Sequence, residues 1–330
     1  IIGAGPAGLA AADMLRQRGY QVTIYDRYDR VGGLLIYGIP GFKLEKHVVQ
    51  RRHDLLADGG VTFKMNVDIG VDISFEDIRA AHDAVLVATG VYKARDINAP
   101  GVGMEGIVPA LDYLTASNRK SLGDAVPDFD SGTLNAKGRD VVVIGGGDTA
   151  MDCVRTAIRQ EANSVTCLYR RDRANMPGSQ REVANAEEEG VVFKWLSAPQ
   201  AFLGDNHVRA VQAQKIHLGQ PDATGRQVPQ IIDDSSHEIP ADLVIKALGF
   251  DPEDLPVMFG TPDLAVSKWG TIDIDWRTMM TNLPGVFAAG DIVRGASLVV
   301  WGVRDGRDAA ASIDSYIMAQ SDAPQAAAGA

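Results

Sequence analysis

A strand that runs straight into a glycine turn and then a helix occurs twice in this chain. The first copy is Ile1-Ile2-Gly3-Ala4-Gly5-Pro6-Ala7-Gly8-Leu9 and the second is Val141-Val142-Val143-Ile144-Gly145-Gly146-Gly147-Asp148-Thr149-Ala150. Each has the spacing of a dinucleotide cradle, G-x-G-x-x-G in one and its accepted variant G-x-G-x-x-A in the other. The first glycine of such a turn, Gly3 or Gly145, bends the chain sharply. The second, Gly5 or Gly147, lets backbone approach a pyrophosphate, and the third small residue, Gly8 or Ala150, lets helix and strand pack closely. Pro6 and Ala7, or Asp148 and Thr149, then open a helix whose free N–H groups and positive dipole end are offered to the phosphates. One glycine turn can end a strand for structural reasons alone, but a duplication with the same order of signals is far more specific.

The two copies differ where their second strand ends. In the first, the alanine-rich helix Leu9 to Arg18 stops at Gly19, and the alternating strand Tyr20 to Tyr25 ends at Asp26, 18 positions after Gly8. A carboxylate there suits a ribose hydroxyl. Arg27 follows, then Gly32-Gly33 and Leu34, a spacing that by itself shows a turn. In the second copy a helix from Thr149 to Gln160 leads into the strand Val165 to Tyr169, which ends in Arg170-Arg171-Asp172-Arg173. A carboxylate accepts the 2′-hydroxyl of NAD or FAD, whereas guanidinium groups pair with the 2′-phosphate of NADP. A solvated charge cluster is the plainer alternative; the position of Arg170, 25 residues after Gly145, favours the phosphate, with Asp172 leaving some room for NADH.

Between these landmarks the chain reads as strands alternating with helices, the pattern of a parallel sheet covered on both faces. Leu34 to Leu44 reads as a folded-back loop, Lys46 to Ala57 as a helix stopped by Gly59-Gly60, Val61 to Met65 as a strand, and Phe75 to Ala81 as a short helix. His82 to Gly90 is a buried strand ending in Ala88-Thr89-Gly90, and Val91 to Lys137 a connector with one helix near Pro109 to Ser117. In the second copy, Gly190 to Trp195 is a strand, and Val208 to His217 with Gly225 to Ile232 an antiparallel excursion. Ala241 to Gly249 repeats the pattern of Asp83 to Gly90, which makes Gly249 a site candidate. Pro284 to Asp291 is a short strand ending in Gly290-Asp291, followed by Ser297 to Gly302 and a helix from Val303 to Tyr316, with no third nucleotide unit after it. That strand is best read as the last of the first domain. The expected fold is therefore α/β, two Rossmann-like dinucleotide-binding domains with the second inserted into the first: 1–105 with 277–330, and 106–276. The tail from Ala319 to Ala330 is expected to fray.

Composition excludes several functions. Across 330 residues the formal charge is −11, which argues against nucleic acid or an anionic membrane as a partner. No apolar run approaches the ~18 residues of a membrane helix. Cys153 and Cys167 form no C-x-x-C pair and the six histidines are scattered, so no metal site, disulfide framework or thiol redox centre is supported. Reduced cysteines and the absence of a secretory signal fit the cytoplasm. The chain starts inside a strand and without methionine, so residues are expected ahead of it.

The two cradles, the acid followed by Gly-Gly, Ala88-Thr89-Gly90 and Ala289-Gly290-Asp291 together resemble the flavoproteins with two dinucleotide-binding domains, the glutathione-reductase-like class. Three longer runs narrow the resemblance: Tyr37 to Lys43, Gly145 to Cys153, and Tyr169 to Ser179. They are similar to the small, or β, subunit of bacterial NADPH-dependent glutamate synthase, over nearly the whole chain. The resemblance implies FAD on the first cradle and NADPH on the second, hydride transfer from NADPH to FAD, and single electrons leaving through iron–sulfur centres on an N-terminal segment or a partner. The implied acceptor is the large, or α, subunit, which makes L-glutamate from glutamine and 2-oxoglutarate. It further implies that Asp291 meets the FAD ribityl or pyrophosphate region, and that N–H groups of Gly302 and Val303, at a helix start, face flavin N1 and O2. No side chain is assigned as a catalytic base, because the reacting atoms belong to the cofactors. Related input subunits serve pyrimidine reductases and ferredoxin-linked transhydrogenases, and a nucleotide-binding module without turnover is the alternative of another class.

Overall fold

The computed structural model of the chain describes residues 1–221 and 227–321. It forms two compact units, one of Ile1–Ile36, Leu44–Lys93 and Phe250–Ala330, the other of Tyr37–Lys43 and Ala94–Gly249.

In the first unit Ile2 bridges in parallel to Tyr25 and Val87. Strand Thr23–Asp26 pairs with Thr62–Met65, and Val85–Val87 pairs with Val286–Ala288, all parallel. The strand opened by the first turn is thus completed by one from near the end of the chain. On one face, Ile24, Leu86 and Phe287 pack with Leu9, Ala12 and Leu15 of helix Pro6–Gln17 and with Ala309, Ala310 and Ile313 of helix Val299–Ser321. On the other, Ile2, Val85 and Val87 pack with Phe75 and Ile78 of helix Phe75–Ala81 and with Leu255, Phe259, Leu264 and Ile272.

The second unit repeats the plan. Its five parallel strands lie in the order Ile107–Pro109, Leu243–Lys246, Asp140–Ile144, Ser164–Leu168, Val192–Lys194. Helices Ala110–Ser121, Asp148–Arg159 and Gln180–Glu188 cover one face, burying Tyr113, Met151 and Val183 against Val141, Val143 and Cys167. An antiparallel sheet of Ser197–Gly204, Val208–Pro221, Gln227–Ile231 and His237–Pro240 covers the other, with Phe202, Val211 and Ile239 on Val142, Ile144 and Val244.

Several expectations need correction. Ile107–Pro109, inside the presumed connector, is an edge strand of the second sheet. The presumed loop after Gly33 holds a helical turn, Leu34–Tyr37, and Tyr37–Lys43 belongs to the second unit. The units divide after Lys93 and Gly249, because residues 250–276 bury Leu255, Phe259, Leu264 and Ile272 in the first core. The last helix begins at Val299 rather than Val303 and runs through Ala319 to Ser321, since the apolar run from Leu298 to Trp301 contains no breaker. Gly225 and Arg226, expected in the antiparallel excursion, and 322–330 of the tail lie outside the described residues.

Candidate functional site: two glycine cradles

Gly3 leaves its strand with φ +109°, and a methyl group on it would overlap the Ala88 carbonyl oxygen. A methyl on Gly8 would overlap the carbonyl oxygen of Gly3. Gly5 differs: it sits at the N-cap of helix Pro6–Gln17 with φ −78° and no side-chain cap, and a methyl there would meet nothing within 4 Å. Two of the glycines are thus required by packing. The middle one keeps space open in front of N–H groups that have no helical acceptor.

The other candidates of the first unit converge on this turn. Asp26, 8% exposed, accepts the Ala4 N–H through Oδ2 at 2.6 Å and the Tyr28 N–H through Oδ1 at 2.8 Å. Burial pushes its pKa up, against those two bonds. Gly32 donates its N–H to Ala4 O at 2.9 Å, and a methyl on Gly33 would lie 3.1 Å from Gly5 Cα, with Leu34 opening the helical turn behind them. Thr89, between Ala88 and Gly90, has a buried Oγ1 with no hydrogen-bond partner among the described residues. A methyl on Gly290 would lie 3.0 Å from Ala7 Cβ and 3.9 Å from Gly302 Cα, and one on Gly302 3.8 Å from Pro6 Cβ. Gly290 itself takes the N-cap of helix Asp291–Arg294. Asp291 Oδ1 accepts from Ser297 N at 3.2 Å and Ser297 Oγ at 2.6 Å, and burial pushes this carboxyl up too.

One expectation changes. Gly302 and Val303 are the fourth and fifth residues of helix Val299–Ser321, and the N–H groups of Trp301 and Gly302 already donate to Leu298 O, at 2.9 and 3.4 Å. Gly302 therefore reaches the turn as a glycine against Pro6 rather than as a helix-start donor. The Arg27 guanidinium is held by Glu253 through two bonds of 2.9 Å and lies over the rings of Tyr28 and Tyr92. Beside it, a cavity of about 40 Å³ is bounded by Asp26, Arg27, Tyr28, Val67, Thr89 and Glu253.

The second turn reproduces the first. Gly145 has φ +150°, and a methyl there would overlap Ala247 O, while one on Gly146 would overlap the Tyr169 ring. Gly147, like Gly5, is an uncapped N-cap with open space before it, heading helix Asp148–Arg159. Asp148 accepts the Ser179 N–H at 3.0 Å. Thr149 is half-buried behind it and Ala150 is fully buried. Gly249 has φ +91° and accepts the Arg95 N–H at 3.0 Å. Arg170 is exposed, and Arg171 carries a buried Nε with no hydrogen-bond partner among the described residues. Each unit therefore combines an open glycine cradle with orphaned buried polar atoms, Thr89 Oγ1 in the first and Arg171 Nε, besides Arg139 Nη1 and Thr156 Oγ1, in the second. That combination fits a bound dinucleotide in both.

Other residues of these sites carried little sequence signal. Gly178 donates its N–H to Gly146 O at 3.0 Å, closing a loop over the second turn; the Pro177-Gly178 pair marks a turn without saying where it lands. A methyl on Gly306, inside the last helix, would overlap Ala7 O, so this glycine lets that helix reach the first cradle. Lys43 pairs with Asp152 at 2.8 Å and Glu182 at 3.4 Å, and Phe42 lies under the guanidinium groups of Arg155 and Arg159. Burial pushes Asp152 up to about 6, although Lys43 pulls it down. No group of three metal-ligating side chains exists among the described residues. Among the same residues no helix is long and apolar enough to cross a membrane.

Comparison with known proteins adds three findings. The family model described as pyridine nucleotide-disulphide oxidoreductase matches residues 1–306. The chain is 66% identical over 328 residues to the glutamate synthase [NADPH] small chain of Azospirillum brasilense, covering 99% of this chain and 68% of that one. It is 68% identical over 317 residues to a putative glutamate synthase [NADPH] small chain of Cereibacter sphaeroides, covering 96% of this chain and 76% of the relative. Among solved structures, Mycobacterium tuberculosis FprA in complex with NADPH superposes with a TM-score of 0.79 at 19% identity, covering 97% of this chain and 84% of that one. This last likeness shows the fold: two dinucleotide-binding domains of the α/β class.

Proposed function

The chain belongs to the pyridine nucleotide-disulphide oxidoreductase family and, within it, to the glutamate synthase [NADPH] small chains; from that premise we propose that its first cradle holds FAD and its second NADPH. It is an NADPH-dependent oxidoreductase. Bound FAD supplies the chemistry of accepting a hydride and releasing electrons one at a time. The protein's own residues bind and orient. Gly3, Gly5 and Gly8 keep a pyrophosphate path open, Asp26 braces the turn beside the ribose, and Thr89 Oγ1 offers an unused hydrogen bond. In the second unit Gly147 opens the phosphate path, and Arg170 and Arg171 take the 2′-phosphate.

The observation that carries this assignment is the contrast at the two strand ends: a buried carboxylate fastened to the turn at Asp26, and paired guanidinium groups with an orphaned Nε at Arg170 and Arg171. Disulfide exchange does not suit the chain, since its two cysteines are buried and burial raises both thiol pKa values, whereas the reaction needs an accessible thiolate. We further propose that electrons leave through iron–sulfur centres outside the described residues to a glutamate synthase large subunit, in the cytoplasm, where glutamine and 2-oxoglutarate become L-glutamate. The test is kinetic. Replacing Arg170 and Arg171 with alanine is expected to raise the KM for NADPH much more than that for NADH; equal effects would overturn the 2′-phosphate assignment.

A further inference from the structure

The segment after strand Ser164–Leu168 contains one feature at odds with a 2′-phosphate site, the carboxylate of Asp172, directly after the two arginines. A free carboxylate at this place repels a phosphate and suits a ribose hydroxyl. In the structure one oxygen of this carboxylate is occupied. Asp172 Oδ1 accepts the Asn175 backbone N–H at 2.9 Å and its Nδ2–H at 2.7 Å. Asn175 is also tied on its other side, its carbonyl accepting the Tyr169 hydroxyl at 3.2 Å. The next arginine is turned away, since Arg173 pairs with Glu187 at 2.8 Å. The loop is then fastened to the second cradle through Gly178 N–H to Gly146 O at 3.0 Å and Ser179 N–H to Asp148 at 3.0 Å.

We propose that Asn175 is a specificity-determining positioning residue: by fastening Asp172 it keeps that carboxylate away from a 2′-phosphate held by Arg170 and Arg171, and away from the 2′-hydroxyl of an unphosphorylated nucleotide. The proposal rests on the assignment of NADPH to the second cradle. Without the Asn175 side chain, Asp172 keeps only the bond from the residue-175 backbone N–H, so its carboxylate is held less firmly and reaches the phosphate more often. A carboxylate drawn up to about 4 Å from a surface-bound phosphate weakens its binding roughly fivefold, and the same carboxylate favours the hydroxyl form.

The experiment is calorimetric titration of the full chain with adenosine 2′,5′-bisphosphate and, separately, with AMP, which reads the adenosine end without turnover. Asn175→Ala is expected to weaken the bisphosphate by up to roughly fivefold while AMP binding holds or tightens. Asn175→Ala combined with Asp172→Asn is expected to restore the bisphosphate, because the repelling charge is gone. Equal weakening of both ligands, or failure of the double variant to restore, overturns the proposal. Asp172→Asn alone keeps the test open if Asn175→Ala folds poorly, with bisphosphate binding expected to equal or exceed that of the parent chain. The underlying assignment fails separately, if Arg170→Ala with Arg171→Ala leaves the ratio of the two affinities unchanged. A ratio that falls in the arginine variant but stays constant in Asn175→Ala rejects the role of Asn175 alone.

Discussion

The carboxylate of Asp26 accepts the backbone N–H of Ala4 at 2.6 Å, so the acid that ends one strand is fastened to the glycine turn that ends its neighbour. Its other oxygen takes the Tyr28 N–H. Asp26→Ala leaves two backbone donors without their acceptor, at a cost of roughly 2–3 kcal/mol. Chemical denaturation of the flavin-free chain measures this directly, and an unchanged midpoint would show that the brace is dispensable.

The glycines are expected to separate by role. Gly5→Ala places a methyl in open space at an ordinary φ, so the flavin-free fold should keep its stability within about 0.5 kcal/mol while FAD is lost from the purified protein. In Gly306→Ala a methyl must displace the Ala7 carbonyl, and overpacking of this kind costs roughly 1–3 kcal/mol. That penalty outweighs the gain of about 1 kcal/mol from alanine's better helix propensity. Flavin content and denaturation midpoints of the two variants check the contrast.

Thr89→Val is expected to act in opposite directions on the two states. Removing a buried hydroxyl that has no partner stabilises the flavin-free chain by about 1 kcal/mol, and the same change weakens FAD retention if that hydroxyl is a ligand. Dialysis against buffer with measurement of residual flavin decides; equal retention by the variant and its parent would remove Thr89 from the site.

The Lys43–Asp152 pair gives a pH signature. Asp152 is pushed by burial from 3.8 to about 6. An acid raised in the folded state adds stability that is complete below its unfolded value and is lost as pH rises through the folded one. Between pH 4 and 6, therefore, the parent chain should lose more stability than Asp152→Asn does, the raised Asp26 and Asp291 carboxyls acting alike in both. Glu189, lowered to about 2 by Arg159 and Arg155, acts in the reverse sense below that window and is common to both proteins. Parallel denaturation series across the pH range make the comparison, and superimposable curves would contradict the raised Asp152.

Most of the first cradle was legible because its requirements are local. The turn at Gly3, the uncapped helix after Gly5 and the acid at Asp26 all act within one βαβ unit, and the Gly290-Asp291 ending marked Val286–Ala288 as the returning strand. What escaped was non-local or too short to carry a period. Ile107–Pro109 is three residues long, which shows no alternation in sequence. Gly306 is required by a carbonyl from the far end of the chain, and no residue near it announces that. Leu255, Phe259 and Ile272 look like connector residues until their burial against the first sheet is seen. The same holds for Lys43, whose partner Asp152 lies on a helix of the second unit. For Gly302 the reading erred in kind, because a helix start was placed where a helix was already under way.

The measurement that bears most directly on the whole account is anaerobic mixing of the FAD-loaded chain with NADPH or NADH while the flavin absorbance is followed. NADPH should bleach the flavin within seconds and NADH should do so far more slowly. A chain that binds no flavin, or whose flavin stays oxidised in excess NADPH, would contradict the assignment of FAD and NADPH to the two cradles.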